Sequence, residues 1–139
     1  SISKWLGEEI GDTFARRNPQ MALASMRFNG MWDDQYFEQL RANPISDAWT
    51  RCQGFWTYVH IRDAARACVA AITNRNWLGH HRFFINAEDT MLAIPTLEAL
   101  ATVYPDVPLN TTMPEFTSPI STQYVTDIIG WKPEYSWRQ

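Results

Sequence analysis

The sequence predicts an α/β fold built on a parallel sheet, and three observations carry that prediction. Helical and strand-like periodicities alternate along the 139 residues. The run Met21 to Phe28 (MALASMRF) is almost continuously apolar, as suits a strand covered on both faces of a parallel sheet. A helical pattern leads into that run, and a second strand pattern leads straight into another helix, so the chain reads as pieces of βαβ repeats. The length allows one domain at most.

The elements follow in order. Residues 3 to 17 form an amphipathic helix capped by Ser3, with Ile2, Leu6, Ile10 and Phe14 four apart on one stripe, and Asn18-Pro19 ends it. The strand Met21–Phe28 comes next. From Asn29 to Gly54 the pattern weakens into a polar, aromatic-rich stretch with Trp32, Tyr36, Phe37 and Trp49 and one short helix near 33–42, which reads as an insertion over a site. Trp56 to Ile61 resumes strand chemistry, β-branched Thr57, Val59 and Ile61 alternating with Trp56, Tyr58 and His60. Arg62-Asp63 opens a helix whose apolar face is Ala64, Ala65, Cys68, Val69 and Ile72. Arg82 to Asn86 is a short strand, and Pro95 to Tyr104 a helix facing the core with Leu97, Leu100, Ala101 and Tyr104. Ser121 to Ile129 is a last helix, stopped by Gly130 with Pro133 beyond.

Composition narrows the function. Twelve Lys and Arg stand against 15 Asp and Glu, a net charge of −3 with no basic run, which argues against nucleic acid or an anionic membrane as the main partner. No apolar stretch approaches the ~18 residues of a spanning helix, and the start lacks a signal-peptide pattern, so a cytoplasmic protein is expected. Cys52 and Cys68 read as reduced core thiols. His80 and His81, adjacent on a strand, point to opposite faces, so no metal site is expected there; His60 reads as a core or rim histidine. There is no G-x-S-x-G, and neither Cys has a nearby His. The glycines at 7, 11, 30, 54, 79 and 130 make no G-x-G or G-x-x-G, so this stretch holds no phosphate cradle.

What remains is Lys4. The stretch Ser1-Ile2-Ser3-Lys4-Trp5-Leu6-Gly7-Glu8-Glu9 resembles the sequence that follows the active-site Tyr in the extended short-chain dehydrogenase/reductase family, the NAD-dependent epimerases and dehydratases, whose motif is Y-x-x-x-K. Further blocks match in order. Ala24 to Gly30 (ASMRFNG) is similar to the family's R-x-x-N-x-x-G, although here the glycine directly follows Asn29. Tyr58 to Ala67 (YVHIRDAARA) resembles its strand running into a helix. Phe84-Ile85-Asn86 resembles its F-N-(I/V)-G strand with the glycine replaced, and Ile129 to Pro133 (IGWKP) its L-G-(W/F)-x-P ending.

The resemblance implies the C-terminal half of such a protein, with the Rossmann remainder at 1–28 and 56–86 and substrate-covering segments at 29–55 and 87–139. Lys4 would then hydrogen-bond the ribose hydroxyls of NAD or NADP and lower the pKa of the Tyr, expected just before Ser1. The i, i+4 spacing puts phenol and ammonium on one helix face. Asn29, at the C-terminal end of a buried strand, would contact substrate, or else form a turn before Gly30. Asp63 reads as structural, stabilised at a helix N-terminus. Relatives acting on nucleotide-diphosphate sugars carry an Arg just upstream of the Tyr-Val-His strand, where this chain has Gly54-Phe55-Trp56-Thr57. Trp56 would stack on a sugar ring but cannot replace a guanidinium for a dianion, with Arg51 or Arg62 as the alternative source of that charge. The expected substrate is therefore a free sugar, a uronate or another small hydroxy or carbonyl compound, and the expected assembly a homodimer through the helix bearing Lys4. The alternative is a non-catalytic binding or interaction module that keeps only the substrate-side surface.

Overall fold

A computed structural model describes residues 2–74, 76–109 and 112–139. Helix α1 (Ile2–Arg17) precedes strand β1 (Ala22–Phe28), and a single residue, Asn29, separates β1 from the short β2 (Gly30–Trp32). Helix α2 (Asp34–Ala42) and a 3-10 turn at Cys52–Gly54 lead to β3 (Tyr58–His60), which passes without a loop into α3 (Ile61–Thr73). Strand β4 (Gly79–Ile85), α4 (Thr96–Val103) and α5 (Gln123–Ile129) complete the order. The α/β class expected from the sequence is the class observed.

Both strand pairs are parallel. β1 pairs with β4 in the register Ala22↔Gly79 through Phe28↔Ile85, and β2 pairs with β3 as Gly30↔Tyr58 through Trp32↔His60. Side chains alternate along a strand, so one face of β1·β4 carries Ser25, Arg27, His80 and Arg82 and the other Ala24, Met26, Phe28, His81, Phe83 and Ile85. The polar face lies under α1, whose Glu8 and Asp12 reach those residues. The apolar face packs with Val59, Ala64, Ala67, Val125, Ile129 and Trp131 from β3, α3, α5 and the tail. Beyond the sheet, a second cluster gathers Trp32, Phe37, Leu40, Trp56, Tyr58, Leu92, Leu100 and Trp137. The bond from Ala87 N–H to Tyr58 C=O, 2.6 Å, ties the two halves.

Several expectations need correction. β1 is only half-buried, not sandwiched, because its edge away from β4 meets no other strand among the described residues and grooves run along it on both faces. The α1 stripe Ile2, Leu6, Ile10 and Phe14 faces outward; the helix docks through its charged side instead. On α3 the buried face is Asp63, Ala64 and Ala67, while Val69, Ile72 and Cys68 are exposed. The small alanines let α3 sit close to Trp131, whose indole N–H donates to Asp63 C=O at 3.1 Å. Cys68 is thus no core thiol; Cys52 is buried. On α4, Leu100 and Ala99 are buried but Leu97 is exposed.

Of the local signals, the Gly130 stop acts as read, whereas Ser3 lies inside α1 and does not cap it. Gly130 takes a left-handed conformation (φ +73°), and its N–H closes α5 on Thr126 C=O. Asp33 caps α2 by accepting the Tyr36 N–H. The 51–56 turn holds three non-glycine residues, Arg51, Phe55 and Trp56, at φ between 52° and 58°. Such conformations persist only where surrounding packing compensates their cost; here the fully buried Trp56 anchors the turn, its indole N–H donating to Ala48 C=O at 2.9 Å.

Candidate functional site

Helix α1 runs antiparallel to β1, because Glu8 pairs with Arg27 while Asp12, one turn later, sits by Ser25 through His80. Its first turn therefore lies over the C-terminal end of β1, the end where open α/β sheets bind ligands. An open cleft of about 710 Å³ forms there, lined by Ser3, Lys4, Gly7 and Glu8 from the helix and Ser25 to Phe28 from the strand. Lys4 is exposed on its wall. Asn29 follows directly, and its side-chain Nδ2 is shielded from solvent with no hydrogen-bond partner among the described residues. A buried amide donor without a partner is costly.

The floor beneath the helix is a charge network. Arg27 grips Glu8 with two bonds, Nε to Oε1 at 2.8 Å and Nη2 to Oε2 at 2.6 Å, and Arg82 Nε adds a third at 2.9 Å. The Arg27 bond, helped by Arg82 and opposed by burial, pulls the Glu8 carboxyl down to about 2. Arg82 Nη2 also holds Asp12 Oδ2, and that bond, with a second from His80, lowers Asp12 as well. Asp12 Oδ1 is 2.8 Å from His80 Nδ1, and His80 Nε2 is 2.8 Å from Ser25 Oγ. The ring sits directly beneath Gly11, where an added Cβ would fall 2.8 Å from its Cε1. His81 points to the other face and meets Tyr124.

Of the residues singled out from sequence, Lys4 lines the cleft at the end of β1, and Asn29 follows that strand directly in the chain. Trp56 and Arg62 do not join them. Trp56 is fully buried and offers no ring face, so stacking on a sugar is not what this side chain does. Arg62 lies at the C-terminal end of β3, donating to Asp34 Oδ2 at 2.7 Å and covering the Tyr135 ring. Arg51 lies over Trp32 and Tyr36 and donates to the Tyr36 hydroxyl. His60 is a core residue: Nδ1 accepts the Arg62 N–H, and Nε2 lies 3.2 Å from Asp34 Oδ1 without hydrogen-bond geometry. Asp63 is structural, but it holds the tail rather than its own helix, accepting N–H groups of Glu134 and Tyr135 and the Arg66 guanidinium. Glu8, Asp12, Ser25 and His80 are the residues that sequence reading misses. No group of three or more His, Cys, Asp or Glu in metal-holding arrangement occurs among the described residues. Nor is any helix among them long and apolar enough to cross a membrane.

No protein-family model matches the chain, and no curated protein does. A solved structure, MoeE5 in complex with UDP-glucuronic acid and NAD, is similar to it at 16% identity with a TM-score of 0.56. The likeness covers 99% of this chain and 50% of that one, so the chain spans about half the length of the protein it matches. At this identity the likeness is one of fold, and the fold is a Rossmann-like α/β arrangement of parallel strands and helices.

Proposed function

We propose that the chain is the substrate-side, C-terminal half of an NAD(P)-dependent enzyme that oxidises, epimerises or dehydrates a sugar-like hydroxy or carbonyl compound. The observation that carries this reading is Lys4, which lines the cleft at the C-terminal end of β1, the strand that the unpartnered Asn29 amide directly follows. A nicotinamide cofactor supplies the hydride acceptor or donor when bound. The residues here suit its ribose end, since a primary ammonium donates well to vicinal hydroxyls. They do not suit its pyrophosphate, because each of the six glycines stands apart from the others; that part would be held by preceding sequence, with the Tyr general acid. Lys4 then binds the ribose and lowers the phenol pKa, while Asn29 donates to a substrate oxygen.

The missing Arg before Tyr58 favours a substrate without a diphosphate, a uronate or free sugar. Pairing of two copies through α1 is supported by the outward stripe of Ile2, Leu6, Ile10 and Phe14. The test is nicotinamide absorbance with the product of the complete reading frame and a panel of uronates, free sugars and nucleotide sugars. Turnover of a free sugar or uronate is expected, lowered on the order of 10²-fold or more by Lys4→Met. No NAD binding by that protein overturns the enzyme reading, and turnover of nucleotide sugars alone overturns the substrate class. The isolated glycines favour a second reading for the 139 residues by themselves, a binding module; micromolar NAD affinity of this chain in calorimetry would remove it.

A further inference from the structure

Three side chains from three elements make a linear relay under α1. Ser25 Oγ on β1 is 2.8 Å from His80 Nε2 on β4, and His80 Nδ1 is 2.8 Å from Asp12 Oδ1 on α1. The His80 side chain is 1% exposed and fixed by Gly11 above it. Arg82 occupies the other Asp12 oxygen, which keeps the carboxylate ionised and leaves Oδ1 free to accept from the ring. That assigns the proton to Nδ1 and the lone pair to Nε2, so the Ser25 hydroxyl donates to the ring. A hydroxyl, a base and an orienting carboxylate in this order are the parts of an activated serine.

Ser25 is not sealed in, since it lines the cleft that Lys4 faces. Backbone geometry adds a donor. The Gly79 N–H bonds to Met21 C=O, so by strand alternation the odd-numbered peptides of β1 turn toward β4, and the N–H of Met26 turns to the free edge. Met26 follows the serine, the position from which a backbone N–H stabilises an oxyanion formed on the preceding side chain. Glu8 is neutralised by Arg27 and Arg82, so Lys4 gives the cleft a positive bias.

We infer that Ser25, His80 and Asp12 form a nucleophile, base and orienter that accept the acyl group of a small carboxylic ester, with preference for one carrying a negative charge. Ser25 Oγ bonds to the carbonyl carbon as its proton passes to His80 Nε2; the ester C–O bond then breaks and the departing alcohol takes that proton. Water, deprotonated by the same nitrogen, releases the acid and restores the serine. Ester and water become acid and alcohol, with no redox partner.

The test uses the full 139-residue chain, without nicotinamide, and a fluorophosphonate probe located by peptide mapping. One phosphonyl group on Ser25 is expected, absent in Ser25→Ala and slowed on the order of 10³-fold or more in Asp12→Asn and His80→Gln. Gly11→Ala keeps all three residues but pushes the ring aside, and it should lose labelling while far-UV circular dichroism shows α1 still helical. No label on Ser25 overturns the inference. So does undiminished labelling in Gly11→Ala, whatever the fold of the other variants. Because NAD is absent, neither result bears on the role proposed for Lys4.

Discussion

Around Tyr58 the molecule is dry and tied on every side, whereas beneath α1 the sheet is polar and the helix carries its apolar residues outside. In the first region Trp32, Phe37, Trp56, Leu92 and Trp137 enclose Tyr58, whose hydroxyl donates to Asp89 and whose titration is pushed up, chiefly by burial. In the second, Arg27 and Arg82 hold Glu8 and Asp12, while Ile2 and Ile10 are 77% and 58% exposed. One region rests on apolar burial, which acid and salt barely touch; the other rests on charge-assisted hydrogen bonds, which acid removes. The inverted helix has its apolar side free for another surface.

The largest effect that would sharpen this contrast is Trp56→Ala. Removing a fully buried indole should cost about 3–5 kcal/mol in urea unfolding; a cost near zero would mean the aromatic region is not the stable one. Asp63→Ala comes next. It strands two amide N–H groups and one arginine bond and should cost about 2–3 kcal/mol, with faster hydrogen exchange at Glu134 and Tyr135.

Acid should then separate the two regions. Glu8 is held at about 2 against an ordinary 4.5, so its contribution is full above pH 4.5 and is lost as pH falls toward 2; Asp12 shifts in the same direction. Over that window α1 amides should exchange faster while the tryptophan-rich region keeps its near-UV circular dichroism. Simultaneous loss of both would break the comparison. The smallest effect on stability is expected for Ile10→Glu, within about 0.5 kcal/mol. Its signature is sedimentation: a wild-type dimer through α1 should become a monomer, and a monomeric wild type removes the proposed pairing.

What was legible in the sequence were features with local causes: the helix boundaries, the Gly130 stop, the parallel strand before Asn29. What was not legible depended on partners far along the chain. The three residues of β2 have no periodicity to detect. The stripe of α1 is visible as a stripe, but its direction is set by Arg27 and Arg82, and Arg82 lies 74 positions from Glu8. The face of α3 is turned by the tail binding Asp63, 71 and 72 positions away. Trp56 reads equally as a ring for ligands or for the core, and only the packing of Ala48 and Tyr104 around it decides. The Ser25, His80 and Asp12 relay has no motif because each member comes from a different element.

The tail also governs when the chain can fold. Trp131 bonds to Asp63, Ser136 to Asp89, Trp137 to Thr90, and Arg41 donates to the carbonyls of Trp137 and Gln139. Contacts between positions this distant in sequence form slowly. Synthesis therefore delivers α2, β3 and α3 long before the residues that lock them, and the aromatic core must wait, half-assembled and sticky, until residues 131–139 emerge and thread back across it.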